Sequence, residues 1–149
     1  MLIRTLQVLV HSEHKTLWNM LIDRLQHPER YMLGVSEARI TEQGEDEFLS
    51  EMLLHGEPVK ERVLVRPYDG ELRHELLEHP QFTGFIARKI VKTARQSPVA
   101  PLYLEYVLEL HRKSLKVQGV VRGEEEIIND LETEMQKIRS RAEEIDSRR

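Results

Sequence analysis

Two periodicities divide the chain. Leu2 to His11 is rich in Leu, Ile and Val and reads as a strand. Behind it, Leu17, Met20, Leu21 and Leu25 recur at helical spacing, with Ser12 placed as N-cap and Glu13 in the first turn. Pro28 ends that helix or opens a short second one, and Gly34 closes the helical part. From Val35 to Lys113 the text becomes short runs punctuated by Gln43-Gly44, His55-Gly56, Asp69-Gly70, His79-Pro80 and Ser97-Pro98. These breaks predict antiparallel strands over 35–42, 47–55, 58–68, 71–79, 83–93 and 100–113, joined by hairpins. Asp69-Gly70 is the strongest turn signal, because a type I′ turn needs φ > 0 at both central positions. Gly119 and Gly123 bracket a loop. Glu124, Glu125 and Glu126 then load a helix N-terminus with negative charge. Ile127, Leu131, Met135, Ile138, Ala142 and Ile145 form one stripe on a helix from about 123 to 147, roughly 36 Å at 1.5 Å per residue.

The order predicts an α+β fold: a seven-stranded curved antiparallel sheet, two short N-terminal helices, and a long C-terminal helix on the sheet's apolar face. With no repeat or linker in 149 residues, the chain reads as a single domain, 1–149. A sheet curled around one helix leaves space that side chains need not fill, and a small hydrophobic molecule would sit there.

Composition narrows the partners. Hydrophobic residues are 40% of the chain, enough for a core, and the net charge is −4. That charge argues against nucleic acid and against docking on an anionic membrane. No apolar run approaches the roughly 20 residues of a membrane span, so no insertion is expected. The absence of cysteine excludes thiolate catalysis and suits a reducing cytoplasm. The opening MLIRTLQVLV lacks the basic start and cleavage site of a signal peptide. A homo-oligomer stays open.

Strand alternation assigns faces. Val59, Val63 and Val65 take Glu61 inward, while Lys60, Arg62 and Arg66 face out. Leu72 and Leu76 take His74 inward, Ile86 and Ile90 take Arg88, and Leu102, Leu104, Leu108 and Leu110 take Tyr106. Phe85 and Val91 pull the other way and oppose the assignment of Arg88. Four strands thus each send one polar side chain into the interior. Glu61, His74, Arg88 and Tyr106 either orient a ligand or move a proton on it, or satisfy one another, or reach water at open sheet ends. If Glu61 pairs with His74, it raises the imidazole pKa. The expected cavity walls are Val63, Leu76, Leu104, Leu108, Leu131 and Met135.

The stretches His55-Gly56-Glu57-Pro58-Val59-Lys60-Glu61-Arg62-Val63, Thr83-Gly84-Phe85-Ile86 and Leu102-Tyr103-Leu104-Glu105-Tyr106 carry a resemblance, as do the helix containing Trp18 and His27-Pro28-Glu29-Arg30-Tyr31. In order and spacing they resemble the helix-grip fold of the START-like superfamily, which includes the birch-pollen-type plant allergens. The nearest branch is the AtaL-like family, named for a protein of the acetylaranotin cluster. The resemblance spans nearly the whole chain and implies a hydrophobic cavity. It supplies no settled reaction.

Other constellations carry less. His74-Glu75-Leu76-Leu77-Glu78-His79 resembles a zinc-protease HExxH, but the second His is one residue late and faces the opposite side of a strand, so no metal site is expected. The seven glycines sit singly, so no phosphate loop is present, and no cofactor is expected. His11 and His14 flank a solvated corner. Trp18 and Tyr31 serve either the core or a cavity mouth. Three functions compete: a binder of a lipid, polyketide or aromatic metabolite; a cyclase or aromatase acting on such a molecule; and a domain acting through a partner surface.

Overall fold

The structure is a computed structural model that describes residues 1–93, 101–113 and 120–148. The elements are β1 (Leu2–Val10), α1 (His14–Gln26), a 3₁₀ turn (Pro28–Arg30), β2 (Val35–Gln43), β3 (Glu47–Leu54), β4 (Glu57–Arg66), a second 3₁₀ turn (Pro67–Asp69), β5 (Glu71–Glu78), β6 (Phe82–Lys92), β7 (Leu102–Arg112) and α2 (Val120–Ser147). The strands form one antiparallel sheet in the order β1-β7-β6-β5-β4-β3-β2. Strands β2 to β7 are a meander, and β1 joins it at the far edge, with Leu2 opposite Leu110 and Val10 opposite Leu102.

Several expectations need correction. The N-terminal part holds one helix rather than two, because Pro28 opens only a three-residue 3₁₀ turn. Ser12 is not the N-cap. Glu13 occupies that position without a side-chain cap, and the Asp146 carboxylate takes the Glu13 N–H at 2.7 Å instead. Glu143 likewise takes the His11 N–H at 2.8 Å, and Thr16 donates to Asp146 at 2.7 Å. The end of α2 thus caps the start of α1. Asp69-Gly70 does not form a two-residue hairpin. Pro67 starts a 3₁₀ turn that ends at a left-handed Gly70. The two-residue turn lies at His55-Gly56 instead, where both φ angles are positive, 51° and 81°, between the paired Leu54 and Glu57. Helix α2 begins at Val120, so Glu124 to Glu126 fall beyond its first turn. The Ser97-Pro98 turn, position 100 and Gly119 lie outside the described residues.

The inner sheet face and α2 share a core. On β7, Leu102, Leu104, Tyr106, Leu108 and Leu110 are buried in strict alternation. Leu131, Met135, Ile138 and Ala142 of α2 meet them in one cluster, joined by Leu17, Leu21 and Leu25 of α1. Each fully buried aliphatic side chain contributes roughly 1.5–3 kcal/mol. The Arg88 side follows alternation. Phe85 faces outward, where the Arg73 guanidinium stacks 3.7 Å from its ring centre, so its apolar character is covered without entering the core.

Candidate functional site

Over the β3–β6 half of the sheet, α2 stands off and leaves a pocket of about 360 Å³, partly open to solvent. Its apolar walls are Met52, Val59, Leu76, Ile86, Ile127 and Leu131, and Arg24, Glu61, His79, Arg88 and Glu134 bring polar atoms to it. Strand register sets this geometry: Glu61 of β4 pairs opposite Leu76 of β5, and Arg88 of β6 lies opposite both Leu72 of β5 and Tyr106 of β7.

The floor is an ionic cluster around Glu134, which is fully buried. Its Oε1 accepts from Arg24 Nε at 3.0 Å, and its Oε2 accepts from Arg88 Nε at 2.9 Å. Arg88 Nη2 reaches Oε1 at 3.3 Å, and the Tyr106 hydroxyl also donates to Oε2. The Arg88 guanidinium lies 4.8 Å from the centre of the Tyr106 ring. Burial alone would raise the Glu134 pKa, but the charges of Arg24 and Arg88 outweigh it and hold the carboxyl down at about 2. Burial and the Glu134 charge push the Tyr106 hydroxyl up, so it remains a donor. Arg88 Nη1 is buried without a hydrogen-bond partner, an omission that costs about 1–3 kcal/mol.

A second pair lies alongside. Glu61 Oε1 is 3.4 Å from His74 Nδ1, an ion-pair distance whose geometry leaves both ring nitrogens of His74 without a hydrogen bond. The expected rise in the His74 pKa does not occur. Burial and the Arg88 charge together exceed the pull of Glu61 and lower it to about 4. Burial works to raise the Glu61 pKa, yet His74, Arg24 and Arg88 bring it well below the usual carboxylate range. The guanidiniums act on both groups to one effect, favouring the carboxylate and disfavouring the imidazolium. Near neutral pH the pair is therefore an ionised Glu61 beside a neutral His74. His79, also in the pocket wall, accepts at Nδ1 from the Gln81 and Phe82 amides at 3.0 and 3.2 Å. Nδ1 is thereby occupied, and Nε2–H becomes the donor of the ring.

Of the four inward polar residues and the six expected cavity walls, Glu61, Leu76, Arg88 and Leu131 line the pocket. Val63, His74, Leu104, Tyr106, Leu108 and Met135 do not. Leu104 and Leu108 lie on β7 in the packed core, and Val63 and Met135 are buried in the same cluster. His74 and Tyr106 stand behind the pocket wall, in contact with Glu61 and Glu134. Sequence reasoning missed Glu134 and Arg24. Both sit on apolar stripes, Glu134 three residues after Leu131 and four before Ile138, and Arg24 three after Leu21. A charged residue on each of two facing stripes was the available signal. Among the described residues, no cluster of three or more His, Asp or Glu side chains could hold a metal ion. Also among the described residues, no helix is long and apolar enough to cross a membrane.

No known protein-family pattern matches the chain, and no curated protein matches it. Solved structures do. A START superfamily protein from Mycobacterium smegmatis superposes with a TM-score of 0.67 at 13% identity, covering 96% of this chain and 98% of that one. The Zhui aromatase/cyclase from Streptomyces sp. R1128 gives a TM-score of 0.65 at 14% identity, over 92% and 94% of the two chains. The di-domain aromatase/cyclase StfQ of the steffimycin biosynthetic pathway gives 0.74 at 11% identity, and this chain spans 50% of its length. The chain therefore has the fold of START-like proteins, an α+β helix-grip architecture.

Proposed function

We propose that the protein binds a small hydrophobic molecule, a lipid, polyketide or aromatic metabolite, in the pocket between α2 and strands β3–β6. One observation carries the reading: apolar walls and a buried ionic floor share a pocket of about 360 Å³. The motifs from His55 to Val63, Thr83 to Ile86 and Leu102 to Tyr106 favour the AtaL-like branch as the nearest kin, acting as one helix-grip domain. Native mass spectrometry of freshly purified protein tests the reading. A retained organic molecule that is released on denaturation supports it. Protein that carries none, and takes up none from a panel of neutral and acidic aromatic compounds, overturns it.

A cyclase or aromatase activity is the second reading. Two of the structurally similar proteins are aromatase/cyclases, and Glu61 at the pocket wall is an ionised carboxylate that can accept a proton, with His74 behind it as its neighbour. Incubation with a poly-β-ketone and analysis for ring-closed product separates the two readings: turnover favours the enzyme, and binding without turnover favours the carrier.

A further inference from the structure

The pocket wall carries an acceptor that the protein itself leaves unused. Glu61 is only 5% exposed, yet no described residue donates a hydrogen bond to its carboxylate. His74 Nδ1 stands 3.4 Å from Oε1, but both ring nitrogens of His74 remain without a hydrogen bond. The atoms sealed from solvent without a partner at this floor are those two nitrogens and Arg88 Nη1. The Glu61 oxygens are not among them, so they keep a contact with solvent, and Glu61 lines the pocket of about 360 Å³. A second crevice beside Glu61 measures about 10 Å³, room for one water at most. A ligand filling the larger space therefore excludes water from the carboxylate. Without a donor of its own it leaves a charged acceptor bare in a dry site, which is costly. The deeply buried charges around Glu61 also limit the kind of donor. Arg24 and Arg88 stand against Glu61 and Glu134, two of each sign, with His74 neutral. A cationic donor would satisfy Glu61 and leave one positive charge in excess, whereas a hydroxyl satisfies it and keeps the balance. Acceptors on a ligand can be met elsewhere in the wall, because His79 offers an Nε2–H, its Nδ1 being held by the Gln81 and Phe82 amides.

We infer that the ligand is an uncharged hydrophobic molecule carrying a hydroxyl group, and that this hydroxyl donates to the Glu61 carboxylate. The inference rests on the binding reading above and narrows its ligands to alcohols, phenols and enols. A matched set on one skeleton tests it: 2-(hydroxymethyl)naphthalene, its methyl ether, 2-ethylnaphthalene and 2-(aminomethyl)naphthalene, titrated into the full chain by ligand-observed NMR at pH 7. The alcohol is expected to bind about ten-fold or more tighter than the other three, the scale of one net hydrogen bond to a charged acceptor. The ether can still accept from His79 but cannot donate, so an ether that binds as tightly as the alcohol overturns the role of Glu61. The amine, a cation at this pH, overturns the selection for a neutral donor if it binds as tightly as the alcohol. Ethylnaphthalene binding equally overturns the inference, yet leaves the binding reading standing. Failure of all four overturns both. Glu61→Gln, which keeps the shape and replaces the charged acceptor by a neutral amide, should cut the alcohol's lead over ethylnaphthalene several-fold. The paired variant Glu61→Leu/His74→Leu, which withdraws the carboxylate and its buried neighbour together, should abolish that lead. An unchanged lead in either variant assigns the hydroxyl to another group and sinks the inference.

Discussion

Glu134 accepts hydrogen bonds from Arg24, Arg88 and Tyr106 in a volume closed to water. Truncating it leaves two buried guanidiniums without a carboxylate, and loss of one partner from such a buried set costs about 3–5 kcal/mol. Glu134→Ala should therefore lower the urea unfolding free energy by that amount, and an unchanged midpoint would contradict the cluster. The titrating groups give a pH dependence of definite sign. His74 has an ordinary value of 6.5 and about 4 in the fold. Between these values the unfolded chain binds a proton that the folded chain refuses. Stability is complete above pH 6.5 and declines as pH falls toward 4, by up to about 1.4 kcal/mol per unit for one proton. His79, lowered chiefly by burial, adds in the same direction. Below pH 4.5 the depressed carboxyls of Glu61 and Glu134 extend the loss. Urea titrations from pH 7.5 to 4.5 should trace this descent, and a flat profile would mean that His74 is not held neutral by its surroundings. Glu61, His74, Arg88 and Tyr106 were legible as inward residues because alternation is geometric. Their partners were not, since hydropathy scores Glu134 and Arg24 as surface although mutual neutralisation makes them interior.

Elements were legible where one signal dominated and misread where two competed. Long strands and the α2 stripe announce themselves by period. Turns depend on which residue takes positive φ, and Pro67 diverted the chain into a 3₁₀ turn that Asp69-Gly70 alone does not reveal. Within β6, Gly84 has φ of 118°, and a Cβ there would stand 2.0 Å from the Glu109 carbonyl oxygen. That position pairs with Leu76 of β5 and Leu110 of β7, with the register unbroken on both sides. Gly84→Ala should destabilise by about 1–3 kcal/mol from backbone strain, with more added by the clash. Thermal unfolding reads the loss, and a variant as stable as the parent would show that position 84 can leave its positive φ at no cost. Such a backbone conformation cannot be inferred from composition, because an isolated glycine in a strand has several uses.

At the scale of the molecule, element order predicted the architecture, but the side on which the pocket lies depended on how α2 crosses the sheet. Alternation says which face a residue takes and nothing of which strands the helix covers closely, so β7 was expected in the cavity and belongs to the core. One consequence of the strand order remains. Strands β1 and β2 are consecutive in the chain yet occupy opposite edges of the sheet. Laid flat, six steps of about 4.8 Å would separate them by roughly 29 Å. The rigid part of their connection, the 13-residue α1, is only about 20 Å long. The helix is thus a bowstring and the sheet its bow. Lengthening α1 by one turn should slacken the string, let the limbs open and shift the Arg24 that α1 carries to the pocket, changing the size of molecule admitted.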